Sequence, residues 1–285
     1  MALSSSQLEA FVAVAKYKSF SQAAQHLHVT QSALSQRILN LEEEIEANLF
    51  VRESSGLRLT QTGGDLLKYC HIKDSLEEEF LLGLKSKNKG ELSGSVRIGS
   101  FSSHARSVLL PKLGELNKIH PKVNAELLVR EIRELPSLLK SGQADYIFTT
   151  TKLESQGIIN ELVGFEENVL IEARAVKNIK DVYIDHDEFD NTTQNYFKIQ
   201  KSAPKNYKRL FFDEIYSIID AVEHGLGRAV VPRHLIEHNK KIVEVSKQKV
   251  LEVPIYFTYY EQVFYTEMQK ELVRFFLKDM PGRLK

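Results

Sequence analysis

Cysteine is nearly absent: Cys70 is the only one in 285 residues. That excludes an intramolecular disulfide and any metal centre built from several thiolates. A lone cysteine inside a helical pattern reads as a small buried residue, with a redox-sensing thiol as the alternative. No apolar run is long enough to span a membrane, so no membrane partner is expected. The opening Met1-Ala2-Leu3-Ser4 lacks a basic start followed by an apolar stretch. No signal peptide is therefore expected, and the expected location is the cytoplasm. Excess charge of one sign is missing too: 38 Lys and Arg balance 38 Asp and Glu. The chain has no Gly-x-Ser-x-Gly, phosphate loop or paired-carboxylate motif. It makes no case for an enzyme, and no catalytic residue or cofactor is assigned. Asp185-His186-Asp187-Glu188 is dense in metal-binding side chains. Neighbours on a loop rarely all reach one ion, and no second histidine group stands at ligand spacing, so no metal site is assigned.

What the sequence has is concentrated near its start. Ser6-Gln7-Leu8-Glu9 is a capping box that predicts a helix start, followed by Leu8, Phe11, Val12 and Ala15 on one face. Ser19 or Ser21 can cap a second helix, whose small Ala23 and Ala24 admit a close neighbour. His28-Val29 make a turn, and Thr30 caps a third helix with Leu34, Ile38, Leu41 and Ile45 along one side. Gln31, Ser32, Ser35, Gln36 and Arg37 are left near its other side and its N-terminal end. Two short helices, a tight turn and a following wing form a helix-turn-helix, whose second helix fits the DNA major groove. Short polar side chains and Arg suit base edges, although an ordinary amphipathic helix with a solvated face would carry the same pattern. Charge sets a constraint. Residues 1–60 hold Lys16, Lys18, Arg37, Arg52 and Arg58 against Glu9, Glu42, Glu43, Glu44, Glu46 and Glu53. A positive face must come from sidedness, with the Glu42–Glu46 run turned away from the duplex.

Several short motifs then occur in order. They are Ser19-Phe20-Ser21-x-Ala23-Ala24-x-x-Leu27, Thr30-Gln31-Ser32-Ala33-Leu34-Ser35, Leu41-Glu42, Leu49-Phe50-x-Arg52 and Leu59-Thr60-x-x-Gly63. Residues 19–63 thereby resemble the DNA-binding end of the LysR-type transcriptional regulators. The resemblance implies that Thr30 opens the recognition helix, that Gln31, Ser32, Ser35, Gln36 and Arg37 face bases or phosphates, and that Arg52 and Arg58 sit on or near the wing. Glu46 departs from the family, which has a helix-ending glycine there; Asn48 is expected to take that role. Residues 63–89 read as one long helix with Leu66, Tyr69, Ile72, Leu76, Phe80 and Leu84 as an apolar stripe. The family dimerises through this helix; packing on the chain's own C-terminal part is the alternative. Residues 87–94 form a polar hinge.

From Ser95 the rhythm becomes alternating strands and helices, which predicts α/β with sheets partly parallel. Strands are expected at Val96–Gly99, Asn124–Val129, Tyr146–Thr149, Val169–Ala173, Val182–Ile184, Arg228–Pro232 and Val253–Tyr259. Helices are expected at Ser107–His120, Glu134–Ser141 and Ile215–His224, with a last one bearing Met268, Leu272, Phe275 and Phe276. Gly225-Leu226-Gly227 fits the family's turn before a buried strand. The fold expected as a whole is a mainly α winged helix-turn-helix over residues 1–62, a linker helix and hinge over 63–94, and a two-subdomain α/β effector domain over 95–285. That domain resembles a periplasmic binding protein, with its first subdomain at 95–163 and 251–285 and its second at 164–250.

Ligands of such folds bind at carboxyl ends of strands, between subdomains. The strand-end runs Ser100-Phe101-Ser102-Ser103-His104 and Thr149-Thr150-Thr151 are rich in hydroxyls and suit a small polar effector, although Ser and Thr also simply cap helices. A finer resemblance rests on Val29–Ile38, Leu76-Glu77-Glu78-Glu79 and Ile184-Asp185-His186-Asp187-Glu188. These are similar to the subgroup that senses lysine or arginine and activates an amino-acid exporter. That subgroup carries an acidic residue where Ser103 stands here beside His104 and Arg106, which points to a different ligand or to none. The leading expectation is a sequence-specific regulator controlled by a small metabolite such as an amino acid. Its partners would be double-stranded DNA, its own copies in a homodimer or homotetramer, and RNA polymerase. The alternatives are an effector-independent nucleoid-type binder that blocks sites such as a replication origin, and a solute-binding receptor without a DNA role.

Overall fold

The computed structural model describes residues 3–53, 56–85, 92–175, 181–200, 204–245, 249–262 and 265–279. Three helices open the chain: α1 (Ser5–Tyr17), α2 (Phe20–His26) and α3 (Gln31–Ile45). α1 starts earlier than its sequence predicts. Ser4 is its N-cap, and the Ser4 carbonyl accepts the amides of Gln7 and Leu8 at 3.1 and 3.0 Å. Ser6 therefore sits inside the first turn, and its hydroxyl bonds Ser4 Oγ instead of an amide. Leu8 and Phe11 are buried, with Val12 and Ala15 packed beside them. Ser19 caps α2 through Gln22 N at 3.4 Å, and Ala23 and Ala24 are buried. Leu34, Ile38 and Leu41 of α3 are buried, and Ile45 packs against the same core.

α3 ends on Glu46 itself, at φ 56° and ψ 34°. Asn48 does not take the left-handed position, contrary to expectation, because Glu46 N and Ala47 N already close the helix onto Glu43 and Glu42 carbonyls. The strands β1 (Phe50–Glu53) and β2 (Gly56–Leu59) pair antiparallel as a wing, with Val51 opposite Arg58 and Arg52 opposite Leu57. Glu42 turns inward and fixes the entry to the wing: one carboxylate oxygen accepts Leu49 N at 2.6 Å and Phe50 N at 3.3 Å. Thr60 locks the exit, donating to the Asn48 carbonyl at 2.7 Å and accepting Gly63 N at 2.9 Å. A Cβ on Gly63 would lie 2.2 Å from the Leu49 carbonyl oxygen, so no side chain fits there. The Leu41-Glu42, Leu49-Phe50 and Leu59-Thr60-x-x-Gly63 motifs are thus one hydrogen-bonded corner.

The long helix α4 spans Gln61–Lys85; residues 86–89 of the expected helix, the Leu84 side chain and most of the expected hinge lie outside the described residues. Its two ends differ. Leu66, Leu67 and Cys70 are buried against the helix-turn-helix. Farther on, Leu76, Phe80 and Leu81 are 38, 66 and 52% exposed. In between, α4 is tied to the chain's own α/β part. Arg97 pairs with Asp145 at 2.5 Å and lies 2.7 and 3.0 Å from the two ring nitrogens of His71. Lys68 Nζ sits 3.7 Å over the Tyr260 ring. Own-domain packing and, among the described residues, an exposed apolar end coexist on one helix.

The α/β part is built on one curled sheet, in the order β4-β3-β5-β11-β6-β9-β7-β8, with β10 paired to β6. Its strands are β3 (Ser93–Ser100), β4 (Lys122–Val129), β5 (Tyr146–Thr149), β6 (Ile158–Ala173), β7 (Val182–Asp185), β8 (Lys208–Phe211), β9 (Arg228–Pro232), β10 (Ile242–Glu244) and β11 (Leu251–Tyr260). β3 pairs parallel with β4 and β5, and β7 with β8 and β9. The antiparallel pair β6 and β11 carries the sheet across its middle, where the register slips at Ile255/Tyr256 opposite Val163. A bulge bends the strands there. One core, around Val96, Ile98, Phe148, Phe257 and Phe276, lies on one side of that bend. A second lies beyond it, around Ile171, Ile184, Val222 and Val231. The helices are α5 (Ser102–His104), which runs through a π-helical segment Ala105–Leu109 into α6 (Leu110–Ile119), then α7 (Leu135–Lys140), α8 (Thr192–Gln200), α9 (Ile215–Glu223) and α10 (Glu267–Asp279).

The first long helix of this part begins five residues before the expected Ser107, because its π turn admits Ala105–Leu109 before the regular Leu110–Ile119 stretch. The N-terminal half of β6, all of α8, and β8 and β10 were not anticipated. α8 buries Thr193, Tyr196 and Phe197, a spacing of three and one that a helix-period reading of this polar stretch would have found.

Candidate DNA interface and effector site

The turn before α3 places its start outward. His28 takes φ 53°, and the Thr30 hydroxyl caps the helix by accepting Ala33 N at 3.2 Å. Gln31, Ser32 and Gln36 are exposed, and Ser35 and Arg37 are half-buried. Gln36 is pre-positioned by a 2.7 Å bond to Asn40. A shallow hollow of about 350 Å³ brings Gln31 together with Lys18, Ser21 and Arg52. Arg58 projects from the wing at the neighbouring cleft. The Glu42–Glu46 run occupies the far end of the 15-residue helix from Gln31. At a rise of about 1.5 Å per residue, that is well over 10 Å away. Sidedness, not net charge, keeps the acidic run from the exposed start, and the N-terminal end of the α3 dipole adds to the positive field there.

The hydroxyl-rich loop after β3 is built in the opposite sense. Ser100 and His104 are fully buried, Phe101 and Ser103 nearly so, and Ser102 is half-buried. Ser100 Oγ lies 2.9 Å from His104 Nδ1, and the imidazole packs on Phe148 and Phe101 at ring distances of 4.7 and 5.5 Å. Among the described residues, His104 Nε2 is buried with no hydrogen-bond partner. Burial pushes its pKa down to about 3, helped by the nearby His234. The ring is neutral at any physiological pH. His234 comes from the short turn after β9; its Nε2 lies 3.1 Å from the buried Glu166 carboxylate, while among the described residues its Nδ1 is also without a partner. Thr149 is buried, donating to the Thr151 carbonyl at 2.8 Å, with Thr150 half-buried and Thr151 exposed. Sequence reasoning missed Glu166 and His234, which carry no local motif; only the long crossing of β6 places them here.

Several contacts close the seam over this cluster. The Arg106 guanidinium lies 4.2 Å from the Tyr216 ring centre. Glu131 and Arg133, after β4, reach His186 and Asp187, after β7, at 3.4 and 3.6 Å. The Asp185–Glu188 run is consumed by such contacts: Asp185 pairs with Arg209 at 2.5 Å, and Asp187 accepts Phe189 and Asp190 amides. Among the described residues, no group of three or more metal-binding side chains is placed to hold an ion. Cys70 is buried, and burial pushes its thiol up to about 12, so it stays protonated and unreactive. Among the described residues, no helix is long and apolar enough to cross a membrane.

A winged helix-turn-helix with an exposed polar recognition helix, followed by a curled α/β domain with a buried polar seam, defines a DNA-binding protein of the effector-domain class. Comparison with known families agrees. The bacterial regulatory helix-turn-helix model of the lysR family matches residues 5–64, and the LysR substrate binding domain model matches residues 89–176. The regulator YofA of Bacillus velezensis is 27% identical over 98% of this chain and 99% of its own. Among solved structures, ArgP from Mycobacterium tuberculosis superposes with a TM-score of 0.77 at 21% identity, covering 99% of this chain and 98% of that one. Full-length LysG from Corynebacterium glutamicum, with bound effector Arg, gives 0.69 at 15% identity over 95% of each chain. The chain belongs to the LysR family of DNA-binding transcriptional regulators and carries a substrate-binding domain. Members of the family bind DNA and small-molecule effectors and form oligomers.

Proposed function

We propose that this regulator is controlled by a small metabolite held between two regulatory subdomains, residues 95–163 with 251–285 and residues 164–250, behind a DNA-binding domain of residues 1–62 and a linker of 63–94. The observation that carries this reading is the pair of orphaned imidazole nitrogens, His104 Nε2 and His234 Nδ1, contributed from opposite sides of the β6–β11 bend. A buried polar atom without a partner is costly, and a ligand that hydrogen-bonds both would recover that cost. Ser100, Phe101, Ser102, Ser103, His104 and Thr149–Thr151 form the near wall. The neutral His104 imidazole and the hydroxyls beside it suit an uncharged polar group or a carboxylate better than the cationic side chain of lysine or arginine. Binding would open the Arg106–Tyr216, Glu131–His186 and Arg133–Asp187 contacts and re-space the subdomains.

On the DNA side, Gln31, Ser32, Ser35, Gln36 and Arg37 read bases or phosphates behind the Thr30 cap, with Arg52 and Arg58 on the flank. The exposed Leu76, Phe80 and Leu81 pair two subunits into a dimer, the unit of a tetramer. The protein works in the cytoplasm, with RNA polymerase as its downstream contact. One observation favours an effector-free DNA binder instead: Ser100 and His104 are closed over in this structure. A thermal-shift screen of the protein against amino acids and common metabolites separates the two. A ligand at about a hundred times its Kd should raise the midpoint by about 5 °C in the wild type and leave Ser102→Trp unmoved. No response to any compound would favour the effector-free reading.

A further inference from the structure

A second cleft, away from the β6–β11 bend, lies where the DNA-binding domain meets the regulatory domain. Its volume is about 570 Å³, the size of a small-ligand site. One wall comes from α1, the wing and the start of α4, and the other from the end of α7 and the turn after it. Lys18, Arg58 and Lys140 line it, and no carboxylate is among its lining residues. The hydroxyls of Thr60, Ser137 and Ser141 beside them donate to the Asn48, Glu134 and Leu138 carbonyls and leave the cations as the donors. Among the described residues, neither Lys18 nor Lys140 forms an ion pair. The wall is fixed in place. A Cβ on Gly64 would lie 3.2 Å from the Lys140 carbonyl oxygen, so the end of α7 is seated on the first turn of α4. Lys18 and Leu57 also line the hollow that holds Gln31 and Arg52, so the cleft continues the basic surface of the recognition helix.

Cations gathered around one cleft without a carboxylate suit an anion, and lysine and arginine supply the point charge and N–H donors that phosphate oxygens take. We propose that this cleft is a phosphate site shared by the two domains, with Lys140 the regulatory domain's contribution. The phosphate comes either from the backbone of duplex DNA flanking the operator or from a free phosphorylated metabolite. In both cases its occupancy adds a charge contact to the packing that already joins the DNA-binding and regulatory domains there. A protein that is neutral overall would gain at this joint a charge contact its composition does not announce.

The test uses the full-length protein, with Lys140→Gln, the charge-keeping Lys140→Arg, and Lys118→Gln as a matched surface control. Inorganic pyrophosphate is titrated calorimetrically without DNA. Separately, a duplex selected from a randomised pool on wild-type protein is titrated across a salt series. Pyrophosphate binding that weakens tenfold or more in Lys140→Gln, and survives in Lys140→Arg and Lys118→Gln, supports the free-metabolite source. A drop of about one in the log–log salt slope for Lys140→Gln alone, equal on selected and scrambled duplexes, supports the DNA source. If pyrophosphate does not bind and the salt slope is unchanged, the proposal is overturned. The DNA arm rests on the DNA-binding reading. A wild-type protein that selects no duplex would overturn that reading, while the pyrophosphate arm decides the cleft by itself.

Discussion

The start of α3 and the loop after β3 are written in nearly the same letters, yet they face opposite ways. Thr30-Gln31-Ser32 with Ser35 is a hydroxyl- and amide-rich helix start, and so is Ser100-Phe101-Ser102-Ser103-His104. In the first, the Thr30 cap is satisfied locally and Gln31, Ser32 and Gln36 stand in solvent. In the second, Ser100 and His104 are fully buried, and one imidazole nitrogen is left unsatisfied. The difference is one of surroundings. α3 has a core on one side only, whereas β3 is an interior strand, paired on both sides by β4 and β5, and delivers its strand end against Phe148. Polar residues at a helix start therefore stand on an open surface in one place and in a closed interior in the other.

Four changes break or sharpen that contrast. The largest effect falls on the open site. Gln31→Ala with Ser35→Ala should lower specific DNA affinity by about a hundredfold, at about 1–3 kcal/mol per lost base contact. Melting temperature and oligomer size should stay put; a parallel loss of stability would mean that these side chains are structural. Next is the exposed apolar end of α4. Phe80→Glu should weaken self-association at least tenfold in sedimentation while leaving the subunit folded, and an unchanged oligomer would place the interface elsewhere.

The closed site should show itself through acid. The folded-state pKa of His104 lies near 3, far below the ordinary value of 6.5. The unfolded chain therefore binds the proton first, and stability is full above pH 6.5 and falls as pH drops toward 3. By pH 5 the loss is about 2 kcal/mol for this residue. His71, lowered to about 4 by burial and then by Arg97, adds in the same direction. Denaturant unfolding at pH 7 and pH 5, in wild type and His104→Gln, should show a steeper pH dependence in the wild type. Smallest is the C-cap of α3, where Glu46→Gly should stabilise by about 1 kcal/mol by relieving a left-handed φ of 56°. A loss of stability there would mean that the glutamate side chain has a role of its own.

The helix-turn-helix was legible because its signals are local. A cap, a period of three and four, and the order of short motifs all lie within residues 19–63, and the Thr60–Gly63 corner gives those motifs a physical cause. Strand positions such as Tyr146–Thr149 and Arg228–Pro232 were legible for the same reason, as short apolar runs between turn residues. The rest depends on distance along the chain. His234 meets Glu166 from 68 residues away, and Arg97 meets Asp145 from 48, so no window of sequence holds either pair. Exposure was equally hidden: nothing in Ser100-Phe101-Ser102-Ser103-His104 says that the run is closed over. Glu46 misled because a rule about glycine was applied to a position where the helix-closing bonds to Glu42 and Glu43 outweigh local preference.

Hydrogen exchange of the full-length protein, read at residues 30–37 and 100–109 with duplex DNA and then with a thermal-shift hit, tests the contrast directly. The account predicts that DNA slows exchange at residues 30–37 and leaves 100–109 unchanged, while the metabolite slows exchange at 100–109. Residues 100–109 left unmoved by every hit would contradict it.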